Sequence, residues 1–333
     1  KNRKLWQMSE TVHKERKLIE EANEQLTLAK EKLETEKKKL DEKVKKLWST
    51  STAIHKEKER INELKLVIEH KHQEIVDSVN YAQRIQRALL ANKTLLDQHL
   101  KEYFILFEPK DIVSGDFYWG EVLNDGCFAL LTADSTGHGV PGAIMSMLNI
   151  SCIDTAVHSE KLVRPSEILN HTRTKIIETL KKDGSQEGGK DGMDCSLIKF
   201  NQTSSSITYA AANNPVWIVR NSTREGKEEK ILIELDADKM PVGKHDKDQL
   251  SFTEHQIEVK TGDMIYALTD GFPDQFGGPK GKKFMSKKLK ELLIQLSDLQ
   301  ANEQHLALKA TLQEWKGDLE QVDDISLIGI RVP

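Results

Sequence analysis

The residues with the clearest potential for chemistry in this sequence are aspartates that stand where apolar runs end. Leu130 to Ala143 reads LLTADSTGHGVPGA, so a run typical of a buried strand stops at Asp134 and passes into small polar residues broken by glycines. Glycines at a strand end let the backbone approach a ligand closely, and an aspartate there can present its carboxylate to a metal ion or a proton. The same residue types make ordinary turns, so this segment alone leaves both interpretations open.

Other aspartates occupy similar positions along the chain. Asp270 closes the run MIYALTD, and Asp116 lies inside VSGDFYW. Asp323 and Asp324 immediately precede ISLIGI. We therefore expect several strand ends to converge on one acidic cleft, where crowded carboxylates raise one another's pKa values unless a cation neutralises them. Oxygen ligands without a His/Cys set select Mg²⁺ or Mn²⁺ over zinc, and two such ions can hold a water molecule for in-line attack on phosphorus.

Composition excludes several classes of protein. The net charge of -4 gives no broad basic field, so nucleic acid is not an expected partner. The three cysteines lie far apart without CxxC spacing, which favours reduced thiols in a cytoplasmic setting over disulfides or a zinc site. No apolar run approaches the roughly 18 residues that span a membrane. Because the chain begins at Lys1 without methionine, we expect either a cytoplasmic protein or the cytoplasmic part of a membrane-anchored one, with a sensor or membrane segment upstream.

The first 96 residues carry a heptad pattern. Stepping by seven from Leu5 gives an apolar residue at every position through Leu96. A strict seven-residue repeat predicts a left-handed coiled coil, because a straight helix would drift off it by about 20° per heptad. Charged residues such as Glu36 and Lys43 occupy d positions, so the pairing register is only weakly determined. We expect residues 1–96 to form a dimerisation and signal-transmission helix, which makes the chain a homodimer. The stretch from 77 to 90 is either the junction with a globular domain or simply the last turns of the coil.

The remaining residues alternate between short apolar runs and amphipathic stretches. Runs such as YFILFEP, CFALLTAD and ISLIGIRV read as strands. Helices are predicted at 142–158, 165–182, 286–296 and 302–319. Strands in runs and helices in pairs favour layered α+β architecture over regular βαβ alternation. The segment Lys181 to Gly192 has the composition of a loop.

An ordered set of motifs resembles the PPM-type (type 2C) metal-dependent protein serine/threonine phosphatases. The set is VSGDFYW, ADSTGHGVPGA, DGMDCSL, YAAANNPVW, MPVG, GDMIYALTDGFPDQFGG and DDISLIGI. It looks closest to the bacterial branch typified by stage II sporulation protein E and by phosphatases that regulate sigma factors. The resemblance implies an αββα sandwich of two antiparallel sheets flanked by helices, placed at residues 97–333 behind the coiled coil. It also implies hydrolysis of phosphoserine or phosphothreonine on a regulatory protein of the anti-sigma-factor antagonist type, by water activated between two Mn²⁺ or Mg²⁺ ions.

The resemblance also implies roles for individual residues. Asp134 would bridge the two metal ions, and the backbone carbonyl of Ser135 would join a metal. Asp270 and Asp323 would complete the ligand set, and Asp116 would reach a metal through water. Asp324 neighbours a ligand and is the less favoured of its pair to coordinate directly. Asp191 and Asp194 fall near where some family members hold a third metal ion.

The sequence departs from the eukaryotic members of the family in two places. Their general-acid histidine lies two residues after the bridging aspartate, whereas His138 lies four residues after Asp134, so His138 is either a catalytic acid or a turn histidine. Their phosphate-binding arginine has no counterpart before Asp116. The basic loop FGGPKGKKF offers Lys280 and Lys282 as contacts for a phosphoprotein substrate. Two other functions stay open: a scaffold that acts through its coiled coil with an inactive domain, and a hydrolase of small phosphoesters.

Overall fold

The computed structural model describes residues 2–181, 191–201, 205–224 and 227–333, so most of the predicted loop between Lys181 and Gly192 lies outside the described residues. The chain divides into two compact units, Lys1–Ile75 and Val76–Pro333. A single helix, α1 (Asn2–Leu89), supplies the described part of the first unit and the beginning of the second. Every residue from 2 to 75 is exposed, including the apolar residues of the heptad ladder. The domain boundary that the sequence predicts at residue 96 stays a prediction.

The second unit contains two antiparallel sheets. The first sheet has the strand order β1, β13, β10, β6, β7. Its strands are β1 (Glu102–Glu108), β6 (Trp217–Arg224), β7 (Lys227–Glu234), β10 (Met264–Leu268) and β13 (Ile325–Arg331). The second sheet has the order β2, β3, β4, β5, β9, and β8 also pairs with β4. Its strands are β2 (Asp116–Val122), β3 (Phe128–Ser135), β4 (Gly192–Phe200), β5 (Ser206–Ala212), β8 (Val242–Gly243) and β9 (His255–Glu258). A short hairpin pairs β11 (Phe276–Gly277) with β12 (Lys282–Lys283).

Helices cover the outer faces of both sheets. Beside the second sheet lie α3 (Gly139–Asp154), which continues into a π-helical turn (Thr155–Ser159), and α4 (Pro165–Leu180). Beside the first sheet lie α6 (Ser286–Leu296) and α7 (Ala301–Lys316). Two short helices, α2 (Lys93–His99) and α5 (Gly271–Asp274), occupy connections. The predicted helices are therefore present, with ends that differ by a few residues.

Three hydrophobic layers hold this arrangement together. The middle layer lies between the sheets and includes Leu130, Ile198 and Ile328. The outer layers bury α3 and α4 against the second sheet, and α6 and α7 against the first. Central strands such as β3 are buried on both faces, which is why their sequences read as continuous apolar runs rather than as alternating ones. The predicted αββα sandwich is confirmed.

The sequence-based expectation that no apolar run approaches a membrane span needs correction, because one segment of the described chain, Gly139–Ser159, is long and apolar enough by length and composition alone. Half of it is buried inside the protein, and core helices commonly pass the same test. Its small and apolar residues, such as Ala143, Ile150 and Ile153, pack in the domain core, so the composition of this segment is explained by packing against the second sheet.

Candidate active site

Strand register brings three of the predicted aspartates into one row. Asp116 on β2 pairs with Asp134 on β3, and Asp134 pairs with Asp194 on β4. Directly opposed residues of an antiparallel pair have their Cβ atoms roughly 4.5–5.5 Å apart on the same face. Leu130, on the same face of β3 as Asp134, packs between the sheets. The row therefore lies at the end of the layer between the sheets, where the apolar filling stops.

The opposite sheet brings its aspartates to the same end. Asp270 follows β10, and Asp323 immediately precedes Asp324 and β13, the neighbouring strand. Thr269 connects the two sheets, because its hydroxyl donates to Asp116 Oδ2 at 2.6 Å while its amide donates to the Ser326 carbonyl at 2.9 Å. The strand ends that the sequence predicted to converge do so.

Four of these carboxylates, those of Asp116, Asp194, Asp323 and Asp324, accept hydrogen bonds. Asp324, which is only 3% exposed, accepts the backbone N–H of Lys110 and that of Gly115, each at 2.7 Å. Both of its oxygens are thus used to hold the loop that leads to Asp116. Within the described part of the chain, no group donates a hydrogen bond to the carboxylate of Asp134 or Asp270. Asp324 therefore supports the loop before Asp116, while the roles of the aspartates towards a metal ion stay predictions.

Burial and mutual repulsion shift the acidity of the cluster. Burial raises the pKa of Asp134 most, and the charges of Asp116, Asp270 and Asp323 raise it further. Burial likewise raises the pKa of Asp116, although its hydrogen bond from Thr269 opposes the shift. The pKa values of Asp194 and Asp270 are also raised, first by burial. Additional positive charge beside this cluster would favour the ionised form of its carboxylates.

The loop after Asp134 closes tightly over the end of the sheet. Gly137 has a φ of 87°, and its carbonyl approaches Gly142 so closely that a Cβ on Gly142 would lie 2.0 Å from the oxygen. The same Cβ would lie 2.9 Å from the Cα of Gly115. Any side chain at residue 142 would push the loop away from the strand that carries Asp116. The glycines of GHGVPG are therefore required for the closed loop, as the sequence predicted.

A cleft of about 410 Å³ opens beside Asp134. Three of the predicted site aspartates line it, together with histidine, amide and proline side chains. Its lining consists of Asp134, Ser135, Thr136, Gly137, His138, Met193, Asp194, Asn213, Pro241, His245 and Asp323. Asp134, Ser135 and the loop that follows them line the cleft, which is therefore the candidate active site.

Several predicted residues lie in or beside this cleft, and others do not. His138 lines it, with the exposed ring held between Lys110 and Asp111. Asp191 precedes β4 but is not among the lining residues, whereas Asp194 is. Lys280 lies between β11 and β12, and Lys282 lies in β12. Neither lysine lines the cleft, so their contact with a substrate stays a prediction.

Two asparagines for which the sequence predicts no role form hydrogen bonds with residues of the cleft. Asn213, which adopts a φ of 58°, donates from Nδ2 to Asp194 Oδ1 at 2.8 Å. Asn149 on α3 donates to Ser135 Oγ at 3.0 Å. The signal for Asn213 was present in the motif YAAANNPVW, because a residue with positive φ after an apolar strand is often asparagine. Asn149 gave no signal, since a polar residue within a helix sequence does not reveal which strand it meets.

The end of α1 also reaches the site loop. Gln86, only 3% exposed, donates from Nε2 to the Ser114 carbonyl at 2.5 Å and to Ser146 Oγ at 2.9 Å. Its Oε1 accepts the Ser114 N–H at 3.1 Å. Gln83, one turn earlier, donates to the Ile112 carbonyl at 2.6 Å. Two glutamines therefore hold the loop between Lys110 and Asp116 by its backbone, which supports the junction interpretation of the stretch from 77 to 90.

The donor set of the cleft fits a hard divalent cation. It offers carboxylates that repel one another, and that of Asp134 accepts no hydrogen bond within the described residues; Mg²⁺ and Mn²⁺ neutralise such repulsion. Across the described residues, no three His, Cys, Asp or Glu side chains stand close enough to form a complete metal shell as they are. The aspartates are thus an acidic cluster that could be drawn together by an ion, and the individual ligand assignments stay predictions.

Comparison with known proteins identifies the family. The family model described as stage II sporulation protein E (SpoIIE) matches residues 124–333, which is more than half of the chain. The chain belongs to the SpoIIE family. It carries a PP2C-type serine/threonine phosphatase domain, and this confirms the resemblance seen in the sequence motifs.

Solved structures of similar fold agree with the SpoIIE assignment. The SiaA-PP2C domain of Pseudomonas aeruginosa is 29% identical, with a TM-score of 0.68, and the match covers 79% of this chain and 98% of that one. The PP2C phosphatase domain with a regulatory fragment of SpoIIE from Bacillus subtilis is 17% identical, with a TM-score of 0.52 and coverage of 69% and 61%. The RsbU and RsbW domains of a Mycobacterium tuberculosis protein are 18% identical, with a TM-score of 0.50 and coverage of 69% and 60%. No curated protein sequence matches the chain significantly.

Proposed function

We propose that this SpoIIE-family chain hydrolyses phosphoserine or phosphothreonine on a regulatory protein of the anti-sigma-factor antagonist type. The observation that carries the proposal is the row of Asp116, Asp134 and Asp194, which lies near Asp270 and Asp323 of the opposite sheet. Of these five, Asp134, Asp194 and Asp323 line the cleft. Such a concentration of buried, mutually repelling carboxylates suits a divalent-ion site for phosphoryl chemistry.

Two Mn²⁺ or Mg²⁺ ions would be held by residues of both sheets. The proposed ligands are Asp116, Asp134, the backbone carbonyl of Ser135, Asp270 and Asp323, with Asp191 and Asp194 available for a third ion. When bound, such ions lower the pKa of a water molecule and offset the negative charge of a phosphoryl group. The protein's own contribution is to hold the carboxylates in place through Thr269, Asp324 and Asn213. His138 lies where it could contact the leaving group or the phosphoryl group.

A protein substrate is supported by the names of similar structures. Stage II sporulation protein E and RsbU are named among them, and the latter is joined in its chain to an RsbW domain. The cleft also lies among loops at the end of the sheets, where an extended phosphopeptide can enter. Lys280 and Lys282 are proposed to contact such a substrate outside the cleft.

The exposed heptad ladder supports a homodimer with a regulatory role for α1. Leu33 and Leu40 are 68% and 61% exposed in the single chain, and burying such residues against a second helix is the usual outcome of a heptad pattern. A cytoplasmic location, with or without an upstream membrane anchor or sensor, is part of the same proposal.

A manganese-dependent phosphatase assay on phosphorylated candidate regulators from the same genome tests the proposal. We expect release of phosphate with Mn²⁺ or Mg²⁺, loss of activity in EDTA, and recovery when the ion is restored, since carboxylate sites bind these ions reversibly. Full hydrolysis of a phosphoserine peptide in EDTA would rule out the proposed chemistry. Absence of turnover at saturating metal, with dimerisation intact, would favour the scaffold function instead.

A further inference from the structure

A chain of three charged or ionisable side chains lies at the rim of the cleft. Asp111 Oδ2 is 3.1 Å from His138 Nδ1, and Lys110 Nζ is 3.2 Å from His138 Nε2. Gly139, with a φ of 61°, makes room for it, because a Cβ there would lie 2.9 Å from Asp111 Oδ2. Both ring nitrogens of His138 are therefore engaged.

The two contacts determine how His138 is protonated. An ionised carboxylate only accepts hydrogen bonds, so Asp111 requires the proton of the ring on Nδ1. An ammonium group only donates, so Lys110 requires the lone pair of Nε2. Nε2 therefore carries no proton that could pass to a leaving group, and the ring proton on Nδ1 is donated to Asp111. In this arrangement the ring orients the ammonium group of Lys110.

Lys110 is anchored at its backbone as well as at its side chain. Its N–H donates to Asp324 Oδ1, while the other oxygen of Asp324 holds Gly115, next to Asp116. The loop between them is further fixed by Gln86 through Ser114. The half-buried Lys110 is thus held by its backbone N–H and by its ammonium group, next to His138, which lines the acidic cleft. The sequence has no counterpart before Asp116 of the phosphate-binding arginine of eukaryotic members.

We propose that Lys110 binds the phosphoryl oxygens of the substrate and that His138 is its positioning residue, itself oriented by Asp111. This inference rests on the proposed phosphatase function and adds a specific phosphate-binding group to it. Lysine is a common phosphate ligand and acts as a point charge. In this proposal, the ammonium group of Lys110 turns from His138 Nε2 towards a phosphoryl group that enters between Lys110 and the aspartates. No bond to Lys110 or His138 forms or breaks in this role.

Steady-state kinetics and phosphate binding test the inference. The variants are Lys110→Ala, Lys110→Arg, His138→Ala and His138→Gln, with Lys287→Ala on exposed α6 as the matched control. The probes are a phosphoserine peptide, p-nitrophenyl phosphate and inorganic phosphate, with Mn²⁺ at saturation. Calorimetric binding of inorganic phosphate to the Mn²⁺-loaded protein provides a readout that does not depend on turnover, and melting curves check the fold.

We expect Lys110→Ala to raise KM for both substrates and to weaken phosphate binding by about tenfold or more, because it removes a charged hydrogen bond. Lys110→Arg should recover most of the affinity. His138→Ala should raise KM similarly for both substrates, and His138→Gln should do so less, since its amide can accept from Lys110 and donate to Asp111. The Mn²⁺ affinity of all variants should equal that of the unmodified protein. Lys287→Ala should leave KM and phosphate binding unchanged.

Two results would overturn the inference. One is phosphate binding by Lys110→Ala within about twofold of the unmodified protein, since a charged contact is worth more than that. The other is a loss of kcat in His138→Ala that affects the phosphoserine peptide far more than the aryl ester, which would identify His138 as the acid. If the unmodified protein hydrolysed neither substrate, the phosphatase proposal would fail, whereas tenfold weaker phosphate binding by Lys110→Ala would still support the role of Lys110.

Discussion

Residues 2–75 and residues 76–333 are stabilised in different ways. The first unit is one helix in which every described residue is exposed, and its large apolar residues repeat every seven positions. The second unit buries three apolar layers and an acidic cluster in its own fold. A helix with an exposed apolar ladder gains most of its stability from packing against a partner. The second unit thus builds its core from one chain, whereas the exposed ladder of the first is the basis of the proposed homodimer.

The largest effect should come from Asp134→Asn, which tests whether activity belongs to the second unit alone. We expect turnover to fall by at least about 10²–10³-fold, because the substitution removes a charged carboxylate, a proposed metal ligand, from the centre of the row. Association through α1 should be unchanged when measured by sedimentation. Asp125→Asn is the matched control, since Asp125 pairs with Lys199 at the opposite end of β3 and should leave turnover intact.

Although it lowers turnover, Asp134→Asn should raise the stability of the metal-free protein. Burial and like charges raise the pKa of Asp134 in the folded protein, so the folded state binds more protons than the unfolded state above the ordinary carboxyl pKa. The contribution of this group to stability is therefore full at acidic pH and is lost as the pH rises through the raised value. We expect metal-free Asp134→Asn to melt at a higher temperature than the unmodified protein at pH 8, with the gap narrowing towards pH 5. A lower melting temperature at pH 8 would contradict the repulsion argument.

The next effect concerns the exposed ladder. Replacing Leu33 and Leu40 together with lysine should weaken dimerisation by about 10²-fold or more, because each leucine buried in a helix pair contributes roughly 1.5–3 kcal/mol. The melting temperature of the second unit should not move. Replacing Glu34 and Asp41 with lysine adds the same residue type at other heptad positions and serves as the control. Equal association of all three proteins in analytical ultracentrifugation would show that the ladder has no partner.

Gln86→Leu should have an intermediate effect within the second unit. The substitution leaves the N–H and carbonyl of Ser114 without their partner, which costs roughly 1–3 kcal/mol for each buried group. We expect a lower melting temperature and an activity reduced by about tenfold through displacement of the loop before Asp116. Gln83→Leu removes only the single contact to Ile112 and should be milder. Activity equal to that of the unmodified protein would mean that the loop holds its position without Gln86.

The smallest effect tests whether the two units communicate. Inserting four residues between Ile75 and Tyr81 shifts the apolar ladder relative to the rest of the helix, whereas inserting seven preserves its phase. We expect the four-residue insertion to change activity several-fold and the seven-residue insertion to change it little. Both proteins should be assayed at saturating Mn²⁺ with dimerisation verified. Identical activity of the two insertions would make α1 a passive dimerisation helix.

Sequence analysis predicted those features that depend on local pattern. The aspartates at strand ends, the glycines after Asp134 and the layered α+β fold were accessible because apolar runs and turn residues mark strand ends directly. Helix ends were less accurate: α3 begins at Gly139 rather than at 142, since Pro141 in the first turn was not recognised as a helix start.

Features that depend on register were beyond reach. The alignment of Asp194 with Asp134 follows from pairing between β3 and β4, and a shift by one residue would place Asp194 on the other face. The contact of Lys110 with His138 joins two loops that sequence proximity does not connect. Gln86 looked like one more polar residue of a long helix, because only the folded unit reveals that Ser114 lies beside it.

The contact between Gln86 and Ser114 also determines how the loop before Asp116 opens. Ser114 is outside the strands, and amides in such connections normally exchange their hydrogen with solvent quickly. Its N–H, however, is bonded to a buried side chain on α1 and its carbonyl accepts from the same amide group. Exchange at Ser114 therefore requires the last turn of α1 to detach from the domain. In deuterium-exchange measurements this single amide would report the opening of the helix end. Any interaction that stabilises the docked end of α1 would increase the protection of the Ser114 amide from exchange.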